Sequence, residues 1–186
     1  NSRTLGSDTF SNPINLSGVN TNYNSFTSVG FTTNREALIY ADLNNDTKPD
    51  ILVGGEDGTL HVFINSNSSP GQISSTDFTN TSISVGDKTI SAVVVEDFNN
   101  DGKIDFAVQN SDQNISIYTN STIEGSTSFS FDNSPLIINS AGFGLAAGDM
   151  NGDGLIDLLT HNGFSGQVKI FENTSSSSLI SFTSSP

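Results

Sequence analysis

The chain has no cysteine and no tryptophan, one methionine and two histidines, and only 6 Lys plus Arg against 20 Asp plus Glu. Each shortage closes off a chemistry. Without cysteine there is no disulfide framework, no thiol nucleophile and no thiolate-bound zinc or iron. His61 and His161 alone leave little imidazole for catalysis or for softer metals, and neither stands in a recognisable catalytic context, so both read as structural. A formal net charge of −14 repels phosphate backbones, which excludes nucleic acid as a partner, and it equally disfavours anionic lipid surfaces. No apolar run approaches the roughly 18 residues that would cross a bilayer, so no membrane insertion is expected. The one metal-binding chemistry in abundance is oxygen.

What the chain does have is Ser, Asn and Thr throughout, with 33% apolar residues in 186, enough for one sizeable domain. The apolar residues gather into short Val, Ile, Leu and Phe runs bounded by Gly, Asn, Asp and Ser, the pattern of strands and turns. No stretch sustains a capped 3.6-residue period. The fold class is therefore all-β.

Three segments repeat with a period of about 50 residues, the size of a four-stranded propeller blade. Each begins with an apolar strand: Ala37-Leu-Ile-Tyr-Ala, Ser91-Ala-Val-Val-Val-Glu and Leu145-Ala-Ala-Gly. An acidic loop follows: Asp42-Leu-Asn-Asn-Asp-Thr-Lys-Pro-Asp50, Asp97-Phe-Asn-Asn-Asp-Gly-Lys-Ile-Asp105 and Asp149-Met-Asn-Gly-Asp-Gly-Leu-Ile-Asp157. Then come a second strand, a turn, an alternating third strand (from Leu60, Ile115 and Val168) and a polar connection. A fourth strand is expected near Phe78, near Phe129 and Phe131, and near Phe182. The units so drawn are 37–90, 91–144 and 145–186. Asn1-Ser2 matches the Asn-Ser or Asn-Thr that follows the third strand elsewhere. Residues 1–36 thus read as the end of a preceding blade, with Phe10 in its fourth-strand region, plus an irregular connection over 17–34.

The loop pattern Asp-x-Asn-x-Asp-x-x-x-Asp holds in all three units. Oxygens at positions 1, 3 and 5 of a tight turn (Asp42, Asn44, Asp46; Asp97, Asn99, Asp101; Asp149, Asn151, Asp153) can converge on one point. Position 7 would add a backbone carbonyl from Lys48, Lys103 or Leu155, and the Asp at position 9 (Asp50, Asp105, Asp157) would close the shell. Such hard donors suit Ca²⁺, which takes roughly 6–8 oxygens at about 2.3–2.6 Å. Three Ca²⁺ ions are expected, one per loop. Turn formation alone would also favour Asp, Asn and Gly, but it does not require carboxylates at fixed spacing. An EF-hand is excluded, because position 12 holds Val53, Val108 or Thr160 instead of Glu.

These features resemble the FG-GAP and VCBS repeats of integrin α-subunit propellers and many bacterial surface proteins. The third copy is nearest, with Gly142-Phe-Gly-Leu-Ala-Ala-Gly-Asp-Met-Asn-Gly-Asp-Gly-Leu-Ile-Asp-Leu158 matching the Phe-Gly and calcium-loop portions. The trailing Gly-Ala-Pro is absent there and only approximated by Val53-Gly54-Gly55 in the first copy. The resemblance implies that each unit is a blade of a calcium-binding propeller and that Asp42, Asn44, Asp46, Asp50 and their counterparts are ligands. Thr47 departs from the family's usual Gly, implying a strained first loop.

Nothing in the sequence marks a nucleophile elbow, a phosphate loop or a triad, so no catalysis is expected. The expected function is an extracellular or cell-surface interaction and adhesion module, stabilised by calcium and contacting protein or polysaccharide. The alternative is an accessory carbohydrate-binding or scaffold domain of a secreted polysaccharide-degrading enzyme. Only Tyr23, Tyr40 and Tyr118 could offer a sugar-binding platform beside the phenylalanines, which tilts against that alternative. Propellers close with about 4–8 blades. An arc of three therefore needs cover at its ends, from further blades of the parent chain or from self-association.

Overall fold

The strands of this chain are apolar at odd and even positions alike, and a strand of that kind must bury both faces. In the computed structural model, which describes residue 16 and residues 38–184 apart from 56, 70, 87, 141 and 163–165, they do so between stacked sheets. The expectations for residues 1–36, and for Ala37 in the first strand, lie outside the described residues.

Three four-stranded antiparallel sheets follow one another as simple meanders. The first holds β1 (Leu38–Ala41), β2 (Asp50–Gly54), β3 (Thr59–Asn65) and β4 (Phe78–Ser84). The second holds β5 (Ile90–Glu96), β6 (Asp105–Asn110), β7 (Asn114–Tyr118) and β8 (Leu136–Asn139). The third holds β9 (Phe143–Gly148), β10 (Asp157–Asn162), β11 (Gln167–Asn173) and β12 (Phe182–Ser184). Among the described residues the one helical element is a 3₁₀ turn at Ser75–Asp77. First strands neighbour one another across the stack, β5 lying against both β1 and β9. This is the arrangement of propeller blades, as the repeat pattern predicts.

Side-chain alternation sends each strand into two cores. In β6, Phe106 and Val108 face the first sheet while Ala107 between them faces the third. In β7, Tyr118 joins the first core while Ile115 and Ile117 join the second. The second residue of each of the first two acidic loops plugs the following interface. Leu43 sits in the core between sheets one and two and Phe98 in the core between sheets two and three. A polar tie accompanies the second core: Gln109, fully buried in β6, donates from Nε2 to the Gly142 carbonyl at 3.0 Å and to Ser140 Oγ at 3.2 Å.

Two expectations need correction. The fourth strand of the second unit is not at Phe129 and Phe131 but at Leu136–Asn139. Phe129 and Phe131 instead pack on Phe106, with centroid distances of 5.9 and 5.8 Å, and Phe131 lies edge-on to Tyr118. Their bulk is drawn under the sheet into the first core, leaving the edge position to a short aliphatic run. The unit boundaries after residues 90 and 144 also fall inside strands, since β5 already begins at Ile90 and β9 at Phe143.

Equivalent residues at the plug position differ sharply in burial: Phe98 is 0% exposed and Met150 53%. Phe98→Ala should therefore cost about 3–5 kcal/mol, as for other aromatic truncations in a core. Met150→Ala should stay within about 0.5 kcal/mol of the parent protein, like other surface changes. Urea unfolding of the two variants measures the contrast.

Candidate metal centres in the acidic loops

Each acidic loop spans the same place in its sheet, closing the last register pair of the first two strands: Ala41 with Asp50, Glu96 with Asp105, Gly148 with Asp157. The backbone turns through two left-handed residues per loop, at positions 4 and 6. These are Asn45 (φ 55°) and Thr47 (φ 72°), Asn100 (φ 55°) and Gly102 (φ 85°), and Gly152 (φ 81°) and Gly154 (φ 86°). Asn and Gly tolerate this region, and a β-branched residue does not. The strain expected at Thr47 is thus visible as a positive φ.

The position-1 carboxylate gathers the turn around itself. Asp42 accepts from the amides of Asp46 (3.0 Å) and Thr47 (2.7 Å). Asp97 accepts from Asp101 (3.0 Å) and Gly102 (2.8 Å), and Asp149 from Gly152 (2.7 Å) and Gly154 (3.0 Å). At position 3, Asn44, Asn99 and Asn151 each accept from the amide two residues on. At position 5, Asp46, Asp101 and Asp153 accept from Lys48, Lys103 and Leu155 in the same way. Hydrogen bonds from the amides of Gly152 and Gly154 hold Asp149 below the ordinary carboxylate range.

Position 9 is different. Asp50, Asp105 and Asp157 are buried, and each carboxylate is gripped on both oxygens by the backbone. One oxygen takes the amide of the plug residue: Leu43 at 2.8 Å, Phe98 at 3.1 Å, Met150 at 2.9 Å. The other takes the amide of an asparagine at or just past the end of the third strand: Asn65, Asn120 or Asn173, each at 2.8 Å. Burial pushes Asp50 up to about 6 against these amide bonds, with the charges of Asp46 and Asp42 adding to the rise. Burial likewise pushes Asp105 up to about 7, opposed by the Asn120 and Phe98 amides and reinforced by Asp101 and Asp97. Among the described residues none of the three position-9 carboxylates meets a basic side chain. Lys48 pairs with Asp46 at 3.1 Å and Lys88 with Asp112 at 3.9 Å.

The third-strand asparagines escaped the sequence reading except as an alignment mark. Asn65, Asn120 and Asn173 donate from Nδ2 to the position-8 carbonyls of Pro49 (3.0 Å), Ile104 (2.8 Å) and Ile156 (2.9 Å). Asn120 and Asn173 also donate across to the preceding sheet, to the carbonyls of the plugs Leu43 (2.8 Å) and Phe98 (2.9 Å). Both begin Asn-x-Ser/Thr sequons, yet both side chains are buried and committed. These two sequons serve the fold.

A sequence profile of the FG-GAP-like repeat matches residues 42–108 and, overlapping it, residues 97–160. The chain belongs to the FG-GAP-like repeat family. A comparison with curated proteins gave no match. FG-GAP repeats often bind Ca²⁺. In this FG-GAP-like chain, no group of three or more His, Cys, Asp or Glu side chains among the described residues is gathered as a metal cage. The position-1 and position-5 carboxylates and the position-3 asparagine oxygens accept bonds from amides of their own loop. The donor set still fits a hard cation, being all oxygen, and each carboxylate offers roughly four acceptor positions, of which the amide bonds use only some. His61 is buried, with Nδ1 at 3.0 Å from Ser82 Oγ, and His161 is exposed on β10; neither adjoins a loop.

Thr47→Gly should relieve the left-handed strain and stabilise the protein by about 1 kcal/mol, readable as a higher urea midpoint. A pH dependence also follows for the chelated protein. Asp50 and Asp105 have folded values near 6 and 7, above the ordinary 3.8 of an unfolded chain. The folded state then binds more protons than the unfolded between about pH 4 and 7, so stability falls as pH rises through that window. Asp105→Asn should flatten the slope, which melting temperatures across the window will record.

Proposed function

We infer that the chain is a calcium-organised, non-catalytic interaction module of the extracellular or cell-surface space, with one Ca²⁺ per acidic loop. One observation carries the reading: a carboxylate is buried at the same point of all three loops without a basic partner among the described residues. The two amide bonds to each carboxylate leave its charge without a counter-ion, and a buried charge so placed is costly. A divalent cation held by Asp42, Asn44, Asp46 and Asp50, by Asp97, Asn99, Asp101 and Asp105, and by Asp149, Asn151, Asp153 and Asp157 would offset it. The carbonyls of Lys48, Lys103 and Leu155 would complete the shells. Bound there, the ion joins the end of the first strand to the start of the second. Extracellular calcium is plentiful enough to fill loop sites of modest affinity.

The ends of the arc support a second element of the reading. Met150 (53% exposed) and Val168 (65%) occupy the positions of Phe98 and Ile115, which are fully buried one sheet earlier. At the opposite end Leu38 (68%) and Tyr40 (75%) occupy the positions of Val93 and Val95 of the first core. These faces are fitted to further blades of the same kind, from a longer chain or a second copy, while protein or polysaccharide ligands would be met by the loops and connections.

Calorimetry on chelated protein tests the metal reading. Three calcium sites are expected, with Asp101→Ala and Asp153→Ala each removing one; a stoichiometry of zero would overturn it. Calcium at 100 times its Kd should add about 2.7 kcal/mol of stability per site, an increase that NaCl of equal ionic strength should not reproduce.

A further inference from the structure

The side-chain amides of Asn120 and Asn173 each touch two acidic loops at once. Asn120 donates its two Nδ2 hydrogens to Leu43 of the first loop and to Ile104 of the second, both at 2.8 Å, while its backbone amide holds Asp105 Oδ1 at 2.8 Å. Asn173 repeats the pattern between the second and third loops, reaching Phe98 and Ile156 at 2.9 Å and Asp157 at 2.8 Å. The Oδ1 atoms are fixed as well, accepting from the amides of Thr122 and Ser175 at 2.8 Å. With every hydrogen-bonding atom used, the side chain cannot turn without releasing one loop or the other. A direct contact runs parallel to the first bridge: Asn45 Nδ2 of the first loop donates to the Gly102 carbonyl of the second at 3.0 Å.

The carbonyl of Leu43 belongs to the same residue whose amide grips Asp50, so one peptide segment links the position-9 carboxylate of the first loop to the bridge. The chain of contacts therefore runs from Asp50 through Leu43 and Asn120 to Asp105. We propose that Asn120 and Asn173 are positioning residues that couple neighbouring acidic loops, so that a loop holding Ca²⁺ prepares the next one and adjacent sites fill cooperatively. The proposal rests on the calcium reading of the loops. Its physical basis is shared ordering: an ion that fixes the first loop fixes the Leu43 carbonyl, which orients Asn120 and with it two groups of the second loop. The second ion then meets a loop with less freedom left to lose, and the coupling is reciprocal.

The experiment uses the full chain carrying Asp153→Ala, which leaves the first two loops, titrated with CaCl₂ by calorimetry. Positive coupling is expected, with the second ion binding about fivefold more tightly than the first after statistical correction, the lower end of usual coupling strengths. Asn120→Ala should abolish that difference. Asn173→Ala in the same background is the control for general loosening. It breaks an equivalent bridge at the other interface and should leave the coupling of the first two loops intact. If Asn120→Ala does not fold, Asn120→Ser keeps a short oxygen acceptor for the Thr122 amide and loses the paired donation to both loops without adding charge. Independent sites in the Asp153→Ala protein overturn the coupling while leaving the calcium reading standing. Equal loss of coupling in the Asn173→Ala control also overturns it, because the effect would then be unspecific. No calcium binding at all removes both readings.

Discussion

A carboxylate taken out of water must be met by donors or by a counter-charge, and in this chain that demand is placed at the first residue of every second strand. Asp50, Asp105 and Asp157 meet it with two backbone amides each, one from the loop before and one from the end of the third strand. Three strands are thereby pinned at one point: the loop leaving the first, the start of the second and the end of the third. The register of each meander, the entry angle of the plug residue and the orientation of the bridging asparagine all follow from that pin. Asparagine at position 9 would keep the shape but lose acceptor capacity, since one of its two terminal atoms can only donate.

The cores follow from the same construction. Because sheets are stacked face to face, successive residues of a strand enter different cores, and the middle sheet is apolar on both sides. The stabilisation is nearest-neighbour in kind, as in other repeat architectures. Aromatic mass is unevenly shared: Phe106, Tyr118, Phe129 and Phe131 pack together in the first interface, whereas Phe98 and Phe182 meet edge-on at 5.9 Å in the second.

Much of this was legible in the sequence because the loops and strands announce themselves locally. Asp and Asn at fixed offsets, left-handed Asn or Gly at positions 4 and 6 save for Thr47, and β-branched runs on either side leave little freedom in placing the first three strands of each unit. The fourth strand of the second sheet was misplaced because phenylalanine was taken as its marker, by analogy with Phe78 and Phe182. In that unit the phenylalanines answer a packing demand from Phe106, and the run Leu136–Asn139 pairs with β7 instead. The asparagine bridges were hidden for another reason. A conspicuous Asn stands at or just past the end of every third strand, but the cross-sheet partners of Asn120 and Asn173 lie 77 and 75 residues away in the preceding unit. No local pattern reveals a contact at that distance.

The segments joining third to fourth strands differ greatly between units, covering 66–77, 119–135 and 174–181, while the acidic loops keep one length and one shape. Constancy is thus divided within each unit. The acidic loop and the strands beside it hardly vary, whereas the connection after the third strand lengthens, shortens or, at Phe129 and Phe131, folds back into a core. Because each copy carries its own connection, one repeated chassis can present several unlike surfaces side by side.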